Sequence, residues 1–200
     1  MTQRSARRLA SHGAHAAPAR APNRVRIIGG RHRGRIVRFP ATEGLRPTPD
    51  RVRETLFNWL GQDLTGRVCL DLFAGSGALG FEAASRGASA VTMVEQSRKA
   101  CAALKETAAM LGDPGVRIVC GDALEFAARS DACFDVVFVD PPYGSGLAEK
   151  ALALLPPRIA PRGRVYFESD RPFAGDTRWR IVKEGRAGAV HFHLVELVDS

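Results

Sequence analysis

The fold is decided by Asp71-Leu-Phe-Ala-Gly75-Ser-Gly77-Ala-Leu-Gly80, which follows the apolar run Val68-Cys-Leu and precedes a segment with a helical pattern. Glycines in a strand-to-helix turn allow the backbone to bend sharply and to approach a ligand at the positive end of the helix. The glycine spacing also satisfies the dinucleotide-binding fingerprint, so this turn alone does not identify the ligand.

On either side of this turn, short β-branched runs alternate with helical patterns. We predict strands over residues 68–72, 90–95, 116–120, 134–140, 164–168, 178–183 and 189–198, and helices over residues 77–86, 97–111, 123–128 and 146–155. The last two strands should pair as an antiparallel hairpin joined through Gly185 and Gly188. Repeated strand–helix units predict an α/β, Rossmann-like fold with a doubly wound, mostly parallel sheet.

Positive charge is concentrated at the start of the chain. Residues 1–42 carry ten arginines and no acidic residue, whereas residues 43–200 carry 19 basic and 21 acidic side chains. A polycation gains affinity for nucleic acid by neutralising phosphates. An arginine- and serine-rich start without acids is also typical of an organellar transit peptide, so the role of residues 1–22 stays open.

The arginines of the next segment lie in and around a predicted β-hairpin. Its strands are the runs at residues 24–28 and 35–39, and Asp50 is predicted to cap a helix that ends near Leu60. We expect RNA contacts from Arg26, Arg31, Arg33, Arg35 and Arg38. The predicted organisation is a disordered basic tail (1–23), an RNA-contacting hairpin and helix (24–60) and a catalytic domain (61–200).

Several classes of protein are disfavoured by composition. No apolar run approaches the ~20 residues that a membrane-spanning helix requires. The four cysteines, at positions 69, 101, 120 and 133, show no metal-ligand spacing, so we predict reduced thiols, no metal and a cytoplasmic location. We also expect a monomer.

Acidic residues after successive strands predict an adenosine-containing cofactor. Glu95 ends the next strand after the glycine turn, twenty positions after Gly75, where its carboxylate can accept hydrogen bonds from two ribose hydroxyls. Asp122 can accept from an adenine amine, or it can simply cap the next helix. Asp71 would crowd a pyrophosphate but suits the ammonium and sulfonium charges of S-adenosylmethionine. We therefore predict this cofactor, bound by Asp71, Phe73, Ala74, Gly75, Ser76, Gly77, Glu95, Asp122 and Ala123.

The residues predicted to perform the chemistry are Asp140-Pro141-Pro142-Tyr143, which follow the most apolar strand of the chain. Two prolines make the turn rigid and remove two N–H donors, leaving a carboxylate and carbonyl oxygens that accept hydrogen bonds. The exocyclic amine of a nucleobase is the matching donor. Tyr143 offers a flat face on which the base can stack. The alternative is a tight structural turn with a packed tyrosine.

Together these motifs resemble a known family. The glycine turn resembles that of class I S-adenosylmethionine methyltransferases, and Asp140 to Tyr143 resembles the motif of those that modify amino nitrogens. With Arg26-Ile-Ile-Gly-Gly and Arg46-Pro-Thr-x-Asp-Arg-Val-Arg-Glu-Thr-Leu-Phe-Asn, the chain is similar over residues 24–198 to the RsmD-type family. The resemblance implies a seven-stranded sheet with the last strand reversed.

The resemblance also implies an activity. RsmD-type enzymes methylate N2 of a guanine in small-subunit ribosomal RNA, so the expected partner is ribosomal RNA in an assembling small subunit. Arg46, Thr48, Arg51 and Arg53 fall in the N-terminal motif and would serve the RNA or the cofactor entrance, or else cap the helix and form ion pairs.

Other functions remain possible from the residues alone. A DNA methyltransferase acting on adenine N6 or cytosine N4 fits the same turn, but such enzymes usually carry a separate recognition segment. A non-catalytic RNA-binding assembly factor would not need Asp140. An NAD-dependent oxidoreductase explains the glycines but gives Asp140 to Tyr143 no role.

Overall fold

The computed structural model describes residues 23–40 and 48–198. Residues 1–22 of the predicted basic tail, Arg46 and the last two residues lie outside these ranges, whereas Asn23, predicted as the last residue of the disordered tail, is the first residue of a strand that pairs with residues 36–39. The N-terminal part contains two strands and one helix: β1 (Asn23–Arg26), β2 (Ile36–Phe39) and α1 (Asp50–Leu60). The remaining elements are β3 (Val68–Asp71), α2 (Ala78–Ser85), β4 (Ala90–Glu95), α3 (Arg98–Leu111), β5 (Val116–Cys120), α4 (Ala123–Arg129), β6 (Phe134–Val139), α5 (Leu147–Leu154), β7 (Ile159–Ser169), β8 (Trp179–Ala187) and β9 (Val190–Leu197).

The larger sheet has seven strands in the order β5-β4-β3-β6-β7-β9-β8. The first five strands in this order are parallel, and β9 runs antiparallel to both of its neighbours. The prediction of a Rossmann-like, mostly parallel sheet with the last strand reversed is confirmed. Because β3 and β6 lie side by side at the centre, the turns that follow them emerge next to each other at one edge of the sheet.

The N-terminal hairpin is confirmed as an antiparallel pair of strands. Apolar and arginine side chains alternate along its strands, so one face of the hairpin packs on the core and the other faces solvent. Val25, Val37 and Phe39 are buried, whereas the neighbouring arginines are exposed. The buried side chains join the same core cluster as Leu56 and Phe57 of α1 and the sheet residue Phe138. Hairpin, α1 and sheet therefore share one hydrophobic core.

A buried acid fastens the hairpin to the sheet layer. Glu82 on α2 is fully buried, and its two oxygens accept hydrogen bonds from the backbone N–H groups of Ile28 and Gly29, each at 2.8 Å. The same carboxylate forms ion pairs with Arg53 at 3.3 Å and Arg86 at 2.8 Å. Arg53, which the family motif placed near RNA or cofactor, is therefore a buried structural residue.

Two local predictions are corrected. Asp50 does not cap α1: Pro49 occupies the cap position without a side-chain bond, and Asp50 lies in the first turn, where it pairs with Arg53 at 2.6 Å. Gly185 does not lie in the last connection but within β8. Glycine is needed there because the ring of Phe192 occupies the space that a side chain at this position would take. The reversal occurs at Gly188, which has φ 64°.

The prediction of four reduced cysteines is wrong for two of them. Cys101 at the start of α3 and Cys120 at the end of β5 form a disulfide, with Cα atoms 6.0 Å apart. The two cysteines are 19 residues apart in sequence and become neighbours because α3 packs on the sheet. No sequence pattern indicates such a pairing. Cys69 is free and buried, and Cys133 is free and exposed. None of the helices in the described ranges combines the length and the hydropathy of a membrane-spanning segment.

Candidate active site

The glycine turn between β3 and α2 is fixed by left-handed backbone conformations. Gly75 has φ 50° and Gly77 has φ 77°, values that residues with a Cβ rarely adopt. A Cβ at Gly77 would also lie 2.5 Å from the ring of Phe81. These constraints explain why glycine is needed at both positions and bring the backbone of residues 74–76 to the cavity wall.

Asp71 at the end of β3 holds the start of α2. Its side chain is 2 % exposed, and Oδ2 accepts a hydrogen bond from the backbone N–H of Gly80 at 2.9 Å. Burial, reinforced by the negative charge of Glu95, raises the pKa of Asp71 to about 7. A positively charged ligand group nearby would favour the ionised form.

Glu95 at the end of β4 is tied to the turn by both oxygens. Oε2 accepts from the N–H of Gly75 at 2.9 Å, and Oε1 accepts from the N–H of Ser97 at 2.7 Å. Each carboxylate oxygen has further acceptor capacity. Two adjacent, fixed acceptors are therefore present where the sequence predicted contacts to a ribose.

Asp122 performs the simpler of its two predicted roles. Its Oδ1 accepts from the N–H of Glu125 at 2.8 Å and caps α4. Asp122 and Ala123 also border the cavity described next, so the cap does not exclude contact with a ligand.

One cavity of about 460 Å³ joins the turns after β3 and β6, a volume within the usual range for small-molecule sites. Of the residues predicted to bind cofactor or substrate base, the following line it: Asp71, Phe73, Ala74, Gly75, Ser76, Glu95, Asp122, Ala123, Asp140, Pro141, Pro142 and Tyr143. Gly77, predicted as a direct contact, is not in the lining. Its role is conformational.

Asp140 directly follows β6 and lines this cavity. Its Oδ2 accepts a hydrogen bond from the hydroxyl of Thr48 at 2.9 Å. Burial, followed by repulsion from Glu168, raises the pKa of Asp140 well above its ordinary range. Thr48, predicted to contact RNA, is only 6 % exposed and lies in the cavity wall beside Asp140.

Glu168, at the end of β7, is a cavity residue for which no role was predicted. Glu168 is 4 % exposed, lines the same cavity and accepts hydrogen bonds from the hydroxyls of Tyr143 and Tyr166, at 2.8 and 2.7 Å. Burial raises its pKa, while the two tyrosines oppose the shift. The available signal was a carboxylate at the carboxyl end of a strand beside β6, and it required the strand order to be known.

The predicted RNA-binding arginines are mostly on the surface. Arg26, Arg33, Arg35, Arg38 and Arg51 are exposed. Arg31 is also exposed, but its guanidinium pairs with the buried carboxylate of Asp113, so it partly serves to anchor the hairpin turn to the body. Within the described part of the chain, no group of histidine, cysteine or acidic residues could hold a metal ion.

The central sheet, with a glycine turn and an acceptor-rich Asp-Pro-Pro-Tyr turn meeting in one cavity, defines a class I methyltransferase. A family model described as "Conserved hypothetical protein 95" matches residues 25–196. The "Ribosomal RNA small subunit methyltransferase D" of Escherichia coli K12 is 42 % identical over 177 residues, 86 % of this chain and 89 % of the relative. The enzyme of the same name from Haemophilus influenzae is 40 % identical over 88 % of this chain and 95 % of its own length.

Solved structures agree. "Putative methyltransferase yhhF" from Escherichia coli superposes with a TM-score of 0.79 at 41 % identity, covering 88 % of this chain and 98 % of that one. A putative methylase from Haemophilus influenzae superposes with a TM-score of 0.73 at 37 % identity, covering 86 % and 98 %. The chain belongs to the RsmD-type methyltransferase family.

Proposed function

We propose that the protein transfers a methyl group from S-adenosylmethionine to the exocyclic N2 of a guanine in small-subunit ribosomal RNA. The observation that carries this proposal is the meeting of Asp140 and the glycine turn in a single cavity. The names of the two methyltransferase D relatives support ribosomal RNA of the small subunit as the substrate. We further infer that the target is presented on an assembling subunit in the cytoplasm and that the protein acts as a monomer.

The cavity suits the proposed cofactor. Glu95 supplies two acceptor oxygens for the ribose hydroxyls. Asp71, when ionised, supplies negative charge near the ammonium and sulfonium groups of S-adenosylmethionine. Asp122 and Ala123 border the cavity and would contact the adenine. When bound, S-adenosylmethionine supplies a methyl group on a positively charged sulfur, which departs as a neutral thioether after transfer.

Asp140 would bind and orient the exocyclic amine of the guanine. Thr48 occupies Oδ2, which leaves Oδ1 to accept a hydrogen of the base NH2 group, and the carbonyl of Pro141 accepts the second. Holding both hydrogens lets the nitrogen become pyramidal and direct its lone pair at the methyl carbon. Fixed positions and fixed charges would supply much of the rate. The raised pKa of Asp140 also suits it to take up the proton that the nitrogen releases.

Nucleoside mass spectrometry tests the reaction. Small-subunit RNA from a strain lacking the gene should lose N2-methylguanosine at one site, and purified protein with S-adenosylmethionine should restore it. Product on adenine N6 or cytosine N4 would instead support the alternative amino-methyltransferase function.

The role of Asp140 is tested by Asp140→Ala. We expect methyl transfer to fall by at least ~100-fold, as for loss of a general acid–base group, while cofactor affinity measured by calorimetry stays within a few-fold. Normal turnover in this variant would refute the mechanism.

A further inference from the structure

Glu168 is a buried carboxylate that the reaction described above does not use. It faces the cavity that contains Asp140, and the salt bridges among the described residues include none with Glu168. A buried acid without a cationic partner is costly unless it is protonated or serves a ligand. Its hydrogen-bond partners indicate which kind of ligand it can serve.

The two tyrosines that donate to Glu168 differ in burial. Tyr166 donates to Oε1 from a fully buried position in β7, so this bond is fixed by the core. Tyr143 donates to Oε2 from the turn after β6, and this side chain is 56 % exposed. Only the bond from Tyr143 can be exchanged for a ligand without disturbing the core.

Guanine has a donor pattern that fits two carboxylates. Its exocyclic amine lies beside a ring N–H, so N2 and N1 present donors in a row. In adenine and cytosine the ring nitrogen next to the amine carries a lone pair and accepts. Single-stranded bases are commonly distinguished along this edge. Asp140 and Glu168 therefore match guanine better than either other amino base.

We propose that Glu168 determines base specificity: its Oε2 accepts the N1–H of guanine in place of the Tyr143 hydroxyl, while Asp140 accepts the neighbouring N2–H. Tyr143, released from Glu168, is then free to stack on the base. The inference rests on the proposed function, since it names the residue that selects the substrate of the same cavity. Adenine or cytosine would place a ring lone pair against Oε2 of Glu168 and leave this oxygen without a donor, while Tyr166 still donates to Oε1.

The test compares guanosine with 2-aminopurine at the methylated position of one synthetic RNA. Both bases carry the C2 amine, but N1 of 2-aminopurine is an acceptor. A site built around a hydrogen bond can reject the analogue that lacks it by ~10⁴-fold or more, and we expect the wild-type protein to prefer guanosine in kcat/KM by at least ~100-fold. Glu168→Gln offers an amide that can donate to N1 of 2-aminopurine, so it should lower this preference by at least ~10-fold.

Control variants separate specificity from structural damage. Tyr166→Phe removes a hydroxyl bonded to Glu168 but keeps the carboxylate, so the guanosine preference should persist even if overall activity falls. Glu125→Gln changes an exposed acid outside the cavity lining and should alter neither rate nor preference. Calorimetry with S-adenosylmethionine checks that each variant is folded.

The possible outcomes distinguish failure of the specificity role of Glu168 from failure of the proposed guanine methylation. If Glu168→Gln keeps the full guanosine preference, Glu168 does not read N1. Equal use of 2-aminopurine and guanosine by the wild-type protein overturns the inference whether or not the variant folds. If wild-type protein does not methylate guanosine in the RNA that mass spectrometry identifies, the proposed function fails first.

Discussion

At the scale of single residues, three carboxyl groups at the ends of β3, β6 and β7 line the cavity: Asp71 and Glu168, which are buried, and Asp140, which is half-buried. Burial is the largest cause of the raised pKa of each one. Such a cluster is costly in the free protein, because an ionised carboxylate loses its hydration. The cost is offset when a ligand brings positive charge or hydrogen-bond donors, which is what a sulfonium cofactor and an amino base would provide.

Asp71 predicts a measurable pH dependence of stability. The folded pKa of about 7 lies above the ordinary value of 3.8, so the folded protein holds this proton more tightly than the unfolded chain. Its contribution to the free energy of unfolding is therefore fully present below pH ~4 and is lost as the pH rises through about 7.

Asp71→Asn removes this titration. Relative to the variant, the wild-type protein should be more stable at pH 5 than at pH 8 by roughly 2–3 kcal/mol, at ~1.4 kcal/mol per pKa unit. Urea unfolding of both proteins at the two pH values measures this difference. A difference that does not change with pH would show that Asp71 is already ionised in the folded protein.

At the scale of elements, the attachment of the hairpin depends on Glu82. This acid accepts hydrogen bonds from two backbone N–H groups after β1 and forms ion pairs with two buried arginines, Arg53 and Arg86. Removing one partner of a buried ionic cluster leaves uncompensated charge, whereas an exposed helical pair contributes little.

We therefore expect Glu82→Gln to lower the free energy of unfolding by about 3–5 kcal/mol. The matched control is Glu125→Gln, which breaks the exposed pair with Arg129 on α4 and should cost at most ~0.5 kcal/mol. Denaturant unfolding gives both values, and hydrogen exchange at the amides of Ile28 and Gly29 should accelerate only in the first variant. Equal effects of the two substitutions would contradict the anchoring role.

We expect the hairpin to contact RNA through the exposed face that carries Arg33, Arg35 and Arg38. Replacing Arg33, Arg35 and Arg38 together by glutamine should weaken RNA binding and make its salt dependence shallower by roughly 2 log units per log unit of salt, at ~0.7 per phosphate contact on single strands. Arg31 is left intact because it pairs with Asp113.

The control for this triple variant removes the same charge elsewhere, at the exposed residues Arg117, Arg129 and Arg178. Binding titrations of the proposed RNA at several salt concentrations compare the two variants. An unchanged salt slope in the hairpin variant, or the same change in both variants, would remove the argument for phosphate contacts on this face.

At the scale of the whole molecule, the order of strands and turns was largely predictable because strand–helix periodicity and the glycine turn are local features. Glu168 and the disulfide of Cys101 were not predictable, because both depend on which elements become neighbours in the sheet. The structural role of Arg53 was also not predictable from local sequence. Its motif suggested contact with RNA or cofactor, or else capping and ion pairs, and the structure buries Arg53 in an ion pair with Glu82 of α2.

The cavity draws its lining from the segment before α1 and from the ends of β3, β4, β5, β6 and β7, so a bound cofactor should stabilise the whole chain rather than one loop. At a concentration ~100 times its dissociation constant, S-adenosylmethionine should add about 2.7 kcal/mol to the free energy of unfolding, seen as a rise in Tm. Glu95→Ala should lose most of this gain, because it removes the acceptors tied to Gly75 and Ser97. NAD tests the oxidoreductase alternative, which shares the glycine turn, and should leave Tm unchanged. A rise with NAD but none with S-adenosylmethionine would overturn the assignment of the cavity.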